Sequence, residues 1–137
     1  MTAKLFCDGA SRGNPGDAGI GCLILYNGNE IKISEYIGKT TNNVAEYTAL
    51  IRGLEESLKA GITEIEIFSD SELLVLQLKG VYKVKNQKLI PLYMRVLELL
   101  NQFKKYQIVH VYREENTVAD KLAKEASFGK SSIVFVK

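Results

Sequence analysis

The chain has 137 residues, 46% of them hydrophobic and 25% charged, which is the length and composition of one globular domain able to bury a core. No run approaches the roughly 18 apolar residues of a membrane span, and the start MTAKLF lacks the apolar core of a secretory signal, so a cytoplasmic protein without a membrane segment is expected. The formal charge is only +2, but if four of the 16 acids are held by metal, the 18 Lys and Arg leave a distinctly basic surface suited to a polyanion; lysines scattered over a solvated face give the same count.

In chain order, residues 4–8, 19–26 and 31–37 are rich in Ile, Leu, Val, Tyr and Phe and are separated by the turns NPGDAG and YNGNE, which predicts a three-stranded antiparallel meander. The first strand ends on an acid, Asp8, followed by Gly9, Gly13, Asn14, Pro15 and Gly16. An acid before a glycine-rich turn serves a metal or phosphate site, and it serves an ordinary hairpin equally well. Cys7 and Cys22 fall in separate strands and form neither a disulfide framework nor a zinc motif; they read as core thiols, with hairpin neighbours that an oxidant would bridge as the alternative.

The period then changes. In TTNNVAEYTALIRGLEESLKAG, Tyr47, Ile51, Leu54 and Leu58 recur at helical spacing, with Asn42 or Asn43 as N-cap and Gly61 as stop. TEIEIFSD alternates as a strand ending at Asp70, and SELLVLQLKG is helical. The basic connection VYKVKNQK leads to Pro91 and an amphipathic helix over 91–105. QIVHVYR predicts a fifth strand and NTVADKLAKEAS a last helix, while the apolar tail over 129–137 is either a final strand or a docking segment. A meander followed by strand, helices, strand and helix implies a mixed α/β sheet whose first, fourth and fifth strands are parallel, with ligands expected at their carboxyl ends.

Asp8 and Asp70 close strands at that edge, and Glu46 and Asp120 fall in the first turns of their helices, where an acid answers the helix dipole. With 3.6 residues per turn, Glu46 lies about 100° from the apolar seam of Tyr47 and Ile51 and borders the core while pointing toward the edge. Singly, each acid has a structural alternative: Asp70 opens a turn, Glu46 pairs with Asn43 in a capping box, and Asp120 stabilises its helix. Together they form an oxygen-only set suited to Mg²⁺ or Mn²⁺, and two divalent ions balance four carboxylates.

The blocks DGASRGNPG, TTNNVAEYTAL, FSDSELLV and REENTVADKLA resemble, in order and spacing, those of type 1 ribonuclease H, over residues 4 to about 128. The shorter archaeal-like members are the nearest likeness. The resemblance implies a single ribonuclease H domain over residues 1–137, with a five-stranded mixed sheet in the order 3-2-1-4-5 flanked by helices. It implies hydrolysis of the RNA strand of an RNA·DNA hybrid by a monomer, leaving 5′-phosphate and 3′-hydroxyl ends. By similarity Asp8 bridges two Mg²⁺ ions, with Mn²⁺ as the alternative metal, Asp120 completes the first site, and Glu46 and Asp70 the second. Gly9, Asn14, Thr41, Asn42, Asn43, Ser71 and Arg113 are carried over as substrate-binding residues.

Three departures matter. The loop histidine of many relatives is missing: the loop reads only REEN, so Arg113, Glu114 or Glu115 is the expected substitute, and the one histidine, His110, reads as a strand residue in IVHVY. Glu72 stands where relatives usually have Gln. The long basic protrusion is replaced by a connection carrying Lys79, Lys83, Lys85 and Lys88, which either meets the DNA backbone or is solvated loop. Alternatives to the leading reading are another nuclease of the same sheet and a hybrid-binding module that has lost catalysis.

Overall fold

Asn27 and Gly28 both adopt positive φ (47° and 76°), the conformation a two-residue type I′ turn needs, and they join two long strands into a hairpin. In the computed structural model, which describes residues 2–137, these strands are β2 (Gly16–Tyr26) and β3 (Asn29–Thr40). They continue the meander begun by β1 (Thr2–Gly13). The chain goes on through α1 (Asn42–Lys59), β4 (Glu64–Ser69), α2 (Glu72–Leu78), α3 (Ile90–Leu100), β5 (Lys105–His110), a 3-10 turn (Arg113–Glu115), α4 (Thr117–Ala126) and β6 (Ser132–Val136).

The sheet order is β5-β4-β1-β2-β3-β6. β4 pairs parallel with both β1 and β5, and the meander is antiparallel, as expected. The order 3-2-1-4-5 is present with one addition: the apolar tail is a sixth strand, paired antiparallel with the outer edge of β3.

The two faces of the sheet are packed differently. On one, Leu5, Cys7, Cys22 and Ile67 join Leu50 and Leu54 of α1 and Val96, Leu99 and Leu100 of α3 in the main core. Cys7 and Cys22 lie opposite each other in the β1–β2 register, buried as free thiols. On the other face α4 lies flat on β2, its Ala119, Ala123 and Ala126 fully buried against Gly19 and Gly21. A Cβ on Gly21 would sit 2.2 Å from the Ala119 carbonyl oxygen, so these glycines set how near α4 comes.

Several expected boundaries are corrected. Asp8 does not end its strand: pairing with β4 stops at Phe6 and Phe68, but pairing with β2 runs on to Gly13 and Gly16. Asp8 thus lies where the parallel part of the sheet ends. The N-cap of α1 is Thr41, not Asn42 or Asn43, because Thr41 has the extended backbone (φ −84°, ψ 162°) from which its hydroxyl accepts the Val44 N–H. Glu46 consequently lies in the second turn. α3 stops at Leu100 rather than 105, since Lys105 already begins β5.

Candidate active site

The site is built around one backbone amide. Gly9 N–H donates to Asp8 Oδ1 at 2.9 Å and to Glu46 Oε2 at 3.2 Å, so a single donor holds a strand acid and a helix acid together. This geometry depends on Gly9 lacking a side chain. A Cβ there would lie 2.4 Å from the Ala45 carbonyl carbon and 2.5 Å from Glu46 N, so α1 can settle onto β1 only over a glycine. The expected role of Gly9, letting a ligand approach, is accompanied by this one of letting a helix approach.

Asp70 follows β4 in a short turn where Ser71 N–H donates to Ser69 Oγ at 3.1 Å and Ser71 Oγ caps α2 by accepting Leu74 N–H at 3.3 Å. Carboxylate oxygens of Asp8, Glu46 and Asp70 lie within 4.8 Å of one another. Asp120, in the first turn of α4, stands outside that trio but lines the same cleft, and it pairs with Lys124 Nζ at 3.1 Å. Asp8 therefore has acids near it from both α1 and α4.

Such crowding has an electrostatic signature. Burial, then the charges of Asp70 and Asp120, push the Asp8 carboxyl from 3.8 to about 7. Burial, followed by the charges of Asp8 and Asp70, raises Glu46 well above its ordinary value. Burial also raises Asp70, opposed by the positive Arg113. Acids packed this tightly need protons or cations between them, and an all-oxygen donor set fits a hard divalent ion such as Mg²⁺ or Mn²⁺.

The sign of the resulting pH dependence follows directly. An acid whose folded pKa is raised binds its proton more tightly folded than unfolded, so stability is lost as pH rises from the unfolded value near 4 through the folded value near 7. Metal-free protein is expected to melt several degrees lower at pH 8 than at pH 5, and added Mg²⁺ is expected to reverse the loss at pH 8. Thermal melts in EDTA and in Mg²⁺ at the two pH values check this; a metal-free melting point that rises toward pH 8 would contradict it.

The four acids line an open cleft of about 460 Å³ together with Gly9, Asn42, Ser71 and Arg113. The other expected binding residues are placed differently. Asn14 Oδ1 accepts Asn42 N–H at 3.1 Å and so ties the β1–β2 turn to the start of α1, while Thr41 is occupied as the cap. Asn43 is exposed on α1 and is not part of the cleft wall. Of the three candidates for the missing histidine, Arg113 faces the cleft, whereas Glu115 borders a separate crevice beside Phe6 and Leu23. Lys79, Lys83, Lys85 and Lys88 are all exposed and outside this cleft.

Three further residues belong to the neighbourhood of the acids. His110 ends β5 as expected of a strand residue, yet it is exposed on the cleft wall with its ring edge toward Tyr112, centroids 6.1 Å apart. Lys124 carries the ion pair to Asp120. Asn116, only 2% exposed, donates from Nδ2 to the Cys7 carbonyl at 3.0 Å. Nothing in the local sequence REENTVAD signals that its side chain reaches β1.

Comparison with known proteins agrees with the geometry. Residues 6–126 match the family described as reverse transcriptase-like. The chain is 42% identical over 129 residues to the bifunctional protein Rv2228c of Mycobacterium tuberculosis; it spans about a third (35%) of that relative's length. It is 42% identical over 123 residues to ribonuclease HI of Halobacterium salinarum, matching 88% of this chain and 62% of the relative. The solved structure of ribonuclease H1 from the same archaeon superposes with a TM-score of 0.88 at 38% identity, covering 95% of this chain and all of that one (100%). LC11-RNase H1, solved in complex with an RNA/DNA hybrid, superposes with a TM-score of 0.86 at 42% identity, covering 93% of this chain and 97% of that one. Because the likeness spans the sheet and every acid-bearing block, this chain belongs to the type 1 ribonuclease H family.

Proposed function

We propose that residues 1–137 form one ribonuclease H domain, an endoribonuclease that hydrolyses the RNA strand of RNA·DNA hybrids by a two-metal-ion mechanism, leaving 5′-phosphate and 3′-hydroxyl ends. The observation that carries the reading is Asp8 with Glu46 and Asp70 within 4.8 Å of it and Asp120 lining the same cleft. A carboxylate between two others is costly as structure alone and suits a residue shared by two cations. Family membership and a hybrid-bound relative support the substrate.

Asp8, Glu46, Asp70 and Asp120 would hold two Mg²⁺ ions, with Mn²⁺ as the substitute. When bound, such ions lower the pKa of water at the scissile phosphate and stabilise the leaving 3′ oxygen. The chain's own residues do the rest. Gly9 N–H fixes two of the carboxylates, Arg113 sets a positive charge at the cleft beside Asp70, and Asn42 and Ser71 offer polar groups to the 2′-hydroxyls that distinguish RNA. Among the described residues no helix is long and apolar enough to cross a membrane, and the buried free thiols suit a reducing compartment; the protein is read as a cytoplasmic monomer.

End-group analysis of hybrid cleavage tests the reading. Fragments with 5′-phosphate and 3′-hydroxyl ends are expected; 2′,3′-cyclic phosphates would mean attack by the RNA's own 2′ oxygen and would overturn it. Hybrid that is bound and never cut would favour the non-catalytic binding module. His110→Ala is expected to keep most turnover, because His110 ends β5 as a strand residue with its ring edge toward Tyr112. A loss in kcat as large as that of a carboxylate variant would contradict this.

A further inference from the structure

Asn116 is where two segments of the site meet. Its Nδ2 reaches the carbonyl of Cys7, the residue before Asp8, at 3.0 Å, and its own carbonyl accepts the Asp120 N–H at 3.0 Å. One residue thus adjoins the supports of two of the four acids. It is 2% exposed, and its Oδ1 has no hydrogen-bond partner.

That orphaned oxygen shows what the side chain is for. Asn116 flanks the N-terminus of α4 yet makes no side-chain cap bond. A residue selected as a cap would turn its oxygen toward the free amides of the helix. Here the amide is turned so that Nδ2 meets the Cys7 carbonyl, and Oδ1 is left buried and unsatisfied. Only a donor can hold that strand carbonyl. Aspartate has the same shape but only acceptors when ionised.

We propose that Asn116 is a positioning residue for the acidic cluster: its amide ties the start of α4 to β1 at Cys7 and so fixes Asp8 and Asp120 relative to one another. The role rests on the reading of these acids as metal ligands. Groups that orient metal ligands typically alter metal affinity or activity by about 10- to 100-fold when removed.

The test compares wild type, Asn116→Asp and Asn116→Ala by Mn²⁺ titration of the hybrid-free protein and by steady-state cleavage of hybrid, with circular dichroism to follow the fold. Expected for both variants are a far-UV spectrum like wild type, Mn²⁺ binding weakened by about 10-fold or more, and kcat lowered by about 10- to 100-fold with KM nearly unchanged. Asn116→Asp is expected to be the worse, since it sets an acceptor against the Cys7 carbonyl. Should it be unfolded at the assay temperature, Asn116→Ala decides. Variants that melt lower but bind Mn²⁺ and turn over as wild type does would make the bridge a fold contact and overturn the proposal, as would Asn116→Ala that fails to fold. Wild type that binds no Mn²⁺ would instead refute the metal site itself.

Discussion

Asp8→Asn is expected to lower hybrid cleavage by on the order of 10³-fold or more and, in metal-free buffer at pH 8, to raise the melting temperature. The opposite signs come from one cause. Asp8 is 5% exposed and lies within 4.8 Å of Glu46 and Asp70, so its charge is opposed by burial and by the neighbouring carboxylates. Asparagine keeps the shape and removes the charge, which relieves the repulsion and takes away the shared ligand. The stabilisation of wild type by metal, about 2.7 kcal/mol at a hundred times Kd, should shrink accordingly in the variant. Melting curves with and without Mg²⁺, beside initial rates, check both halves. A variant that loses activity together with metal-free stability would show that Asp8 serves the fold.

Gly21→Ala is expected to be strongly destabilising. Its Cβ would lie 2.2 Å from the Ala119 carbonyl oxygen, 2.6 Å from Ala123 N and 2.8 Å from Leu122 Cβ. Two of these atoms are helix backbone, so relief requires moving α4 as a body, and Asp120 moves with it. Overpacking of this kind costs about 1–3 kcal/mol and sometimes more, which for a domain of this size lowers Tm by on the order of 10 °C. Gly53→Ala provides the contrast. Its new Cβ meets only the end of the Leu5 side chain, at 2.6 Å to Cδ1, and alanine is the better helix former by about 1 kcal/mol. Differential scanning calorimetry of the two variants should therefore separate them clearly; equal losses would remove the close approach of α4 as the reason for a glycine at 21.

These two residues also mark the limit of what can be read before the fold is seen. The acids are legible because each is tied to a local signal: Asp70 ends an alternating run and Asp120 opens an amphipathic helix. The apolar tail reads equally as a strand or a docking segment, and only its pairing with β3 makes it the sixth strand. Asp8 was placed at a strand end because glycines follow it, but the antiparallel partner β2 carries glycines of its own and the ladder continues to Gly13. What stops at Asp8 is pairing with β4, and no local pattern records that. Thr41, Asn42 and Asn43 are three acceptable caps in a row, and only the backbone angle chooses Thr41. Asn116 is the extreme case. A polar residue in a hydrophilic stretch reads as exposed, and its burial arises from contact with Cys7, distant in sequence.

The most direct test of the central claim is cleavage of an end-labelled RNA·DNA hybrid, beside RNA·RNA and DNA·DNA duplexes, with Mg²⁺, with Mn²⁺ and with EDTA. The account predicts that the RNA strand of the hybrid is cut with either metal and spared in EDTA, and that DNA·DNA is untouched. Cutting that persists in EDTA would contradict the role given to Asp8, Glu46, Asp70 and Asp120, and a hybrid left intact with both metals would contradict the activity.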